Sequence, residues 1–233
     1  MMISNKNNRL VLAAGLVCAL SGSVFAATGA NDDPAGKGDV AKADEVSKHL
    51  LASQLIDYGN ANKDALALVA AARILKQSPA RTVDPAKTTE GGEDTPDKTK
   101  AADPHTAAAA LASARALAKQ DPTMLGLIGD VEAMAGRGRA AGPATHQDRV
   151  RAKATDEYEI VFSGGEVARL AVIGDGDTDL DLYVYDENGN DICKDDDRTD
   201  TMVCEWSPRW TGPFTIKIKN LGRVSNRYTM LIN

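Results

Sequence analysis

Aromatic side chains are scarce in this chain: three Phe, two Trp and five Tyr among 233 residues. Only Phe25 and Tyr58 precede residue 150, so the first two-thirds cannot build a core from rings. Alanine has the opposite bias, which predicts an Ala-rich helical part followed by a β-rich part. Basic residues are also short, with 27 Lys and Arg against 33 Asp and Glu and a formal net charge of −6. This excludes nucleic acid and anionic membrane surfaces as partners by bulk attraction. Histidine is limited to His49, His105 and His146, none near another in sequence, and surface polarity accounts for each. There is no HExxH, no GxSxG and no phosphate-cradling glycine loop, so the common hydrolase and nucleotide chemistries have no motif to stand on. After Leu20 no apolar run is long enough to span a membrane, which takes ~20 residues.

Cysteine is the last scarcity, with Cys18, Cys193 and Cys204 alone. The N-terminus accounts for the odd one. Lys6 and Arg9 precede an apolar run from Leu10 to Leu20. Ser21-Gly-Ser-Val24-Phe-Ala26 follows, with small residues at the −3 and −1 positions of a cleavage site after Ala26. Residues 1–26 therefore read as a signal peptide that carries Cys18 away. Export to the periplasm or the medium is expected, and no membrane span remains after cleavage. Loss of Lys6 and Arg9 leaves 25 basic and 33 acidic residues, a net −8. In an oxidising compartment Cys193 and Cys204 should form a disulfide across a short loop, worth ~2–3 kcal/mol in the chain-entropy model.

Residues 27–38 read as flexible. Helical spacing of Val46, Leu50, Leu51, Leu55 and Tyr58 predicts a helix from about Asp39, with Gly59 as its C-terminal stop. A second follows Asp64 and stops before Pro79, making 39–78 a helical hairpin. Residues 79–103 hold little to bury and read as a disordered linker. Asp103-Pro104 and Asp121-Pro122 predict two helix starts, because Asp caps free N–H groups and Pro needs no donor in the first turn. These frame a second hairpin, 104–136, and residues 137–150 read as another linker. From about residue 151 the period becomes two, with strands expected at 157–162, 166–174, 179–186, 190–195, 201–207, 213–220 and 226–232. Leu180, Leu182 and Val184, and Phe214, Ile216 and Ile218, alternate with polar residues as in an antiparallel sandwich with one wet face. The fold class expected is thus α+β in separate parts: Ala-rich helical hairpins, then a C-terminal antiparallel β-sandwich.

Several runs of residues then carry a resemblance. They are Phe162-Ser-Gly-Gly-Glu166, Gly174-Asp-Gly-Asp-Thr-Asp-Leu-Asp-Leu-Tyr-Val-Tyr-Asp-Glu-Asn-Gly189, Trp206-Ser-Pro, Thr211-Gly-Pro-Phe214, Asn220 and Asn226-Arg-Tyr228. Residues 150–233 resemble the bacterial pre-peptidase C-terminal domain. The resemblance implies a small β-sandwich, generally non-catalytic, that is appended to exported enzymes and serves secretion, localisation or substrate attachment. No protease domain precedes it here.

Two groups in this region are candidates for binding. Residues 175–200 hold eleven acidic and two basic residues, and Asp175, Asp177, Asp179 and Asp181 could supply oxygen ligands to Ca2+. Sandwiches related to the family add weight to calcium. The alternative is that these aspartates cap turns, and strand parity places Asp179 and Asp181 on an outer face beside Tyr183. Leu180 stands where an EF-hand needs glycine. Trp210, with Tyr183 or Tyr185, could stack on a sugar or peptide, or else pack into a loop. The function expected is an exported, non-catalytic binding or accessory protein, requiring no cofactor, whose partner is a protein or polysaccharide of the cell envelope or the extracellular medium. The rivals are a secreted hydrolase with an unrecognised acidic site and a structural cell-envelope protein.

Overall fold

The computed structural model describes residues 29–93, 105–134 and 142–233. The signal peptide, Cys18, Asp103, Pro104 and Gly136 lie outside them. The described residues form four helices, α1 (Ala41–Asn62), α2 (Ala65–Gln77), α3 (Ala107–Ala118) and α4 (Pro122–Ala133). Ten strands accompany them: β1 (Arg81–Thr82), β2 (Lys87–Glu93), β3 (Ala144–Val150), β4 (Ala152–Phe162), β5 (Ala168–Gly174), β6 (Leu180–Asp186), β7 (Asp191–Asp195), β8 (Thr201–Trp206), β9 (Gly212–Asn220) and β10 (Asn226–Ile232). The class is α+β. No helix among the described residues is long and apolar enough to cross a membrane.

Local chemistry explains the helix ends. Asp64 caps α2 by accepting from the Leu66 and Ala67 N–H groups, and Asp121 caps α4, with Pro122 in its first turn. The cap of α3 is Thr106, whose hydroxyl accepts from the Ala109 N–H at 3.1 Å. Gly59 does not end α1, which runs on to Asn62 and stops at Lys63 in the left-handed region. Gly59 serves packing instead: a Cβ there would lie 2.7 Å from Leu68 Cγ, so only glycine lets α1 and α2 approach this closely.

The two hairpins share one core. Ile56, Leu68, Ala72, Leu111, Ala114 and Ile128 are buried together. The α1 helix also covers part of a sheet, with Val46 against Ala171, Ile173 and Leu231. Arg169 reinforces this contact by donating to the Ala43 carbonyl at 3.0 Å.

Ten strands form two five-stranded sheets, ordered β1-β3-β10-β5-β8 and β2-β4-β9-β6-β7. Every pairing is antiparallel except β1 with β3. The inner faces meet through Leu170, Val172, Leu182, Val184, Met202, Ile216, Ile218 and Met230, all fully buried. Trp206 packs between Phe162 and Phe214, at ring separations of 4.6 and 5.2 Å. Cys193 on β7 and Cys204 on β8 form the disulfide. These are edge strands of opposite sheets, so the bond closes one open side of the sandwich.

The expected boundaries need three corrections. Residues 79–93 are not linker: β1 pairs with β3, and β2 pairs with β4 over Lys87–Glu93. Residues 144–150 are not linker either, because β3 lies between β1 and β10. The second hairpin is thus inserted between strands of the sandwich. Finally, residues 31–39 are fastened down. Asn31 is fully buried, Asp33 donates its N–H to the Ser207 carbonyl at 2.8 Å, and Asp39 bridges to Glu166.

Candidate functional site

The four candidate aspartates sit in the β5–β6 turn and the start of β6, and two of them, Asp175 and Asp181, accept local hydrogen bonds. Asp175 Oδ1 accepts from the Asp177 N–H at 3.1 Å and its Oδ2 from the Arg227 N–H at 3.2 Å. Asp181 is buried and accepts from the Tyr183 hydroxyl at 3.1 Å. Burial, reinforced by Asp179, raises the Asp181 carboxyl above its ordinary range, although the Tyr183 bond opposes this. Asp179 Oδ1 is buried with no hydrogen-bond partner among the described residues. No group of three or more His, Cys, Asp or Glu side chains among the described residues is placed to hold a metal ion. The turn-capping chemistry weighed from sequence is what Asp175 performs here.

Tyr183 and Tyr185 do share a face. They alternate outward on β6, opposite Lys217 and Thr215 of β9 in register. Lys217 Nζ lies 5.9 Å from the Tyr185 ring centroid and 2.9 Å from Glu157 on β4. Tyr185, Glu157, Glu159, Thr215 and Lys217 line a depression of ≈ 450 Å³. Burial and the Asp181 carboxylate push the Tyr183 phenol up to about 12, so it stays a neutral donor. Trp210 is not among the lining residues of this depression. Its main chain exchanges two 3.1 Å bonds with the Asn31 side chain, and its indole N–H donates to Glu187 at 2.5 Å. Trp210 therefore holds the N-terminal segment and the β8–β9 loop together.

A second constellation has no apolar signature and escapes sequence reading. Between the sheets, Asp156 is fully buried on β4. It accepts from Thr89 Oγ1 at 2.6 Å, the Tyr228 hydroxyl at 2.9 Å and Lys87 Nζ at 3.2 Å. Lys87 also pairs with Asp148 at 2.8 Å. The Tyr158 hydroxyl meets that of Tyr228 and donates to Asp148 at 3.2 Å. His146, buried on β3, is 3.3 Å from the same hydroxyl. Burial pushes both phenols far up, so neither ionises near neutrality. Burial opposes the charges on Lys87 and Asp148, but their mutual pairing wins, raising Lys87 and lowering Asp148. Such a hydrogen-bonded network rigidifies the interior.

The expectation that surface polarity accounts for the histidines is corrected. His49 and His146 are buried, and His105 lies 2.9 Å from Asp57 at the helical layer. His49 contacts the Ser78 carbonyl at 2.5 Å. Burial holds His49 below the ordinary imidazole range, against the Ser78 bond and Glu45. The unfolded chain then takes up a proton before the folded one does. The stabilisation is full above the unfolded value and is lost as pH falls through it toward the folded value. Melting temperatures at about pH 7.5 and about pH 5.5 should differ more in the wild type than in His49→Gln, by a few degrees at ~2–4 °C per kcal/mol. An equal difference in both would remove His49 from this role.

No protein-family model matches the chain, and no curated protein matches it. Solved structures similar to it include the pre-peptidase C-terminal domain of a collagenase from Bacillus anthracis, at 10% identity over 39% of this chain and 89% of that chain, with a TM-score of 0.33. Another is PliG, a periplasmic lysozyme inhibitor of g-type lysozyme from Aeromonas hydrophila, at 15% identity over 39% and 86% of the two chains and a TM-score of 0.30. A third is the Yersinia pseudotuberculosis-derived mitogen, at 15% identity over 40% and 85% and a TM-score of 0.28. The first belongs to the family that residues 150–233 resemble.

Proposed function

We propose that this protein is an exported, non-catalytic binding module whose recognition surface is the outer face of the β2-β4-β9-β6-β7 sheet, and that its ligand is a polysaccharide of the cell envelope or the extracellular medium. The observation that carries this reading is the open depression lined by Tyr185, Lys217 and Thr215, with Tyr183 on the same face of β6 opposite Lys217. Rings on a flat sheet stack on the apolar faces of sugars. Carboxylates, hydroxyls and an ammonium between them match a ligand rich in hydroxyl groups. Export is supported by the signal-like residues before Ala26 and by the Cys193–Cys204 disulfide. The non-catalytic reading is supported by the way Lys87, Asp148, Asp156, Tyr158 and Tyr228 are tied to one another. Calcium is left out of this proposal: the Asp175 oxygens already accept main-chain N–H groups, whereas Asp179 Oδ1 has no hydrogen-bond partner among the described residues.

The test is co-sedimentation of the mature protein with insoluble polysaccharides and envelope fractions, followed by calorimetry. Tyr185→Ala should weaken binding at least tenfold, about 1.4 kcal/mol, and Tyr183→Ala less, with folding intact. Retention of full affinity in the double variant would move the surface elsewhere. Release of sugar products would replace the reading with the hydrolase alternative.

A further inference from the structure

The depression beside Tyr185 has a charge that selects among sugars. Its lining sets four carboxylates, Glu157, Glu159, Asp186 and Glu187, against one ammonium, Lys217, a formal net of −3. Lys217 does not offset the other three, because Glu157 takes it at 2.9 Å. Asp186 accepts only from neutral donors, the N–H groups of Asn31, Asn188 and Asn190 and the Asn190 side chain. Glu187 likewise accepts from the Trp210 indole and the Asn31 side chain. Glu159 is exposed, and its carboxylate has no hydrogen bond or ion pair with any described residue.

The strand register arranges these groups around the ring. Glu159 of β4 stands opposite Thr215 of β9, and Thr215 stands opposite Tyr185 of β6. The row therefore runs acid, hydroxyl, ring across two strand spacings, roughly 10 Å. Glu187 lies two residues beyond Tyr185 in the β6–β7 turn. A sugar stacked on Tyr185 thus has a carboxylate to either side. Such a field repels uronic acids and attracts an ammonium, which gains from charge-assisted hydrogen bonds and from the ring quadrupole.

Resting on the polysaccharide reading above, we propose that the ligand of this face is an amino-sugar glycan with free ammonium groups, its ring on Tyr185 and its ammonium taken by Glu159 and Glu187. The mature protein should be titrated by calorimetry with oligomers of one backbone in two forms, N-acetylated chitin oligomers and de-N-acetylated chitosan oligomers, and with polygalacturonate. Ionic strength should be constant and the pH mildly acidic, where free amines are charged. The de-N-acetylated form should bind at least tenfold tighter than the N-acetylated form, and polygalacturonate should not bind. Glu159→Gln should cut that preference at least threefold with an unchanged melting temperature, and Glu159→Lys should abolish it. Asp130→Asn, which removes an exposed acid on α4, should leave it intact. Tyr185→Ala should weaken both forms. Equal affinity for the two forms, lost in Tyr185→Ala, would overturn the amine assignment and leave the polysaccharide reading standing. A preference that survives Glu159→Lys, or falls as far in Asp130→Asn, would assign it to bulk charge and overturn the proposal. Binding of neither form would also overturn it, and the polysaccharide reading falls with it only if co-sedimentation fails as well.

Discussion

Asp186→Ala is expected to cost about 3–5 kcal/mol, because it strands several buried donors at once. Asp186 is 2% exposed. Its Oδ1 accepts from the Asn188 and Asn190 N–H groups, and its Oδ2 from the Asn190 side chain and the Asn31 N–H, all at 2.9 Å. One carboxylate thus shapes the β6–β7 hairpin and anchors the N-terminal segment across the end of the sandwich. Burial works against the charge, but the bonds from Asn190, Asn31 and Asn188 prevail and hold the carboxyl below its ordinary range. A depressed carboxyl stabilises fully above its unfolded value and loses this as pH falls through its folded value. The gap between wild type and variant should therefore narrow below about pH 4. Thermal melts should show a fall of about 10 °C for a chain of this size. Asp186→Asn should not rescue, since its NH2 would face an N–H donor. A change under about 1 kcal/mol would mean that the hairpin and the segment are held by other contacts.

Asp156→Ala should have a comparable effect, ~3–5 kcal/mol, from breaking a buried charge pair. The variant leaves Thr89 and Tyr228 without their acceptor and weakens the hold of β4 on the edge strand β2. Hydrogen exchange should accelerate first along Lys87–Glu93. The double change Asp156→Leu with Lys87→Met should recover only part of the loss, because it removes the fully buried charge but takes the ammonium partner from the less buried Asp148. The wild type should hold this stabilisation on a plateau. Asp148, held low, loses its share as pH falls below the ordinary carboxylate value. Lys87, held high, keeps its share below the ordinary amine value and loses it as pH rises through its folded value. Binding on the tyrosine face should survive in any folded fraction. Loss of β2 exchange protection without loss of stability would contradict the assignment.

These two aspartates also mark where sequence reading reached and where it stopped. Strands β5 to β10 were legible because their inner positions are large and apolar: Leu180, Leu182 and Val184 in β6, and Phe214, Ile216 and Ile218 in β9. The same parity placed Tyr183 and Tyr185 together on a wet face. In β3 the inner positions are Ala144, His146, Asp148 and Val150, and in the first half of β4 they are Ala152, Ala154 and Asp156. Alternation exists there, but between polar and polar or small residues, so β3 reads as linker and β4 reads as a strand only from residue 157. The β2 strand, Lys-Thr-Thr-Glu-Gly-Gly-Glu, reads as linker for the same reason. Gly59 looked like a helix stop because its steric need comes from Leu68 on the next helix.

Local chemistry alone therefore determined the helices with their Asp64 and Asp121 caps, the apolar half of the sandwich and the cysteine pair. Only the tertiary structure decided that a lysine in an apparent linker, 69 residues from Asp156, would enter the interior beside it. It also decided that Glu159 of β4 would stand in one row with Tyr185 of β6. The physical reason is common to both. Apolar burial is a property of the side chain itself, whereas a charge is buried or opposed according to the partner that a distant strand brings to it.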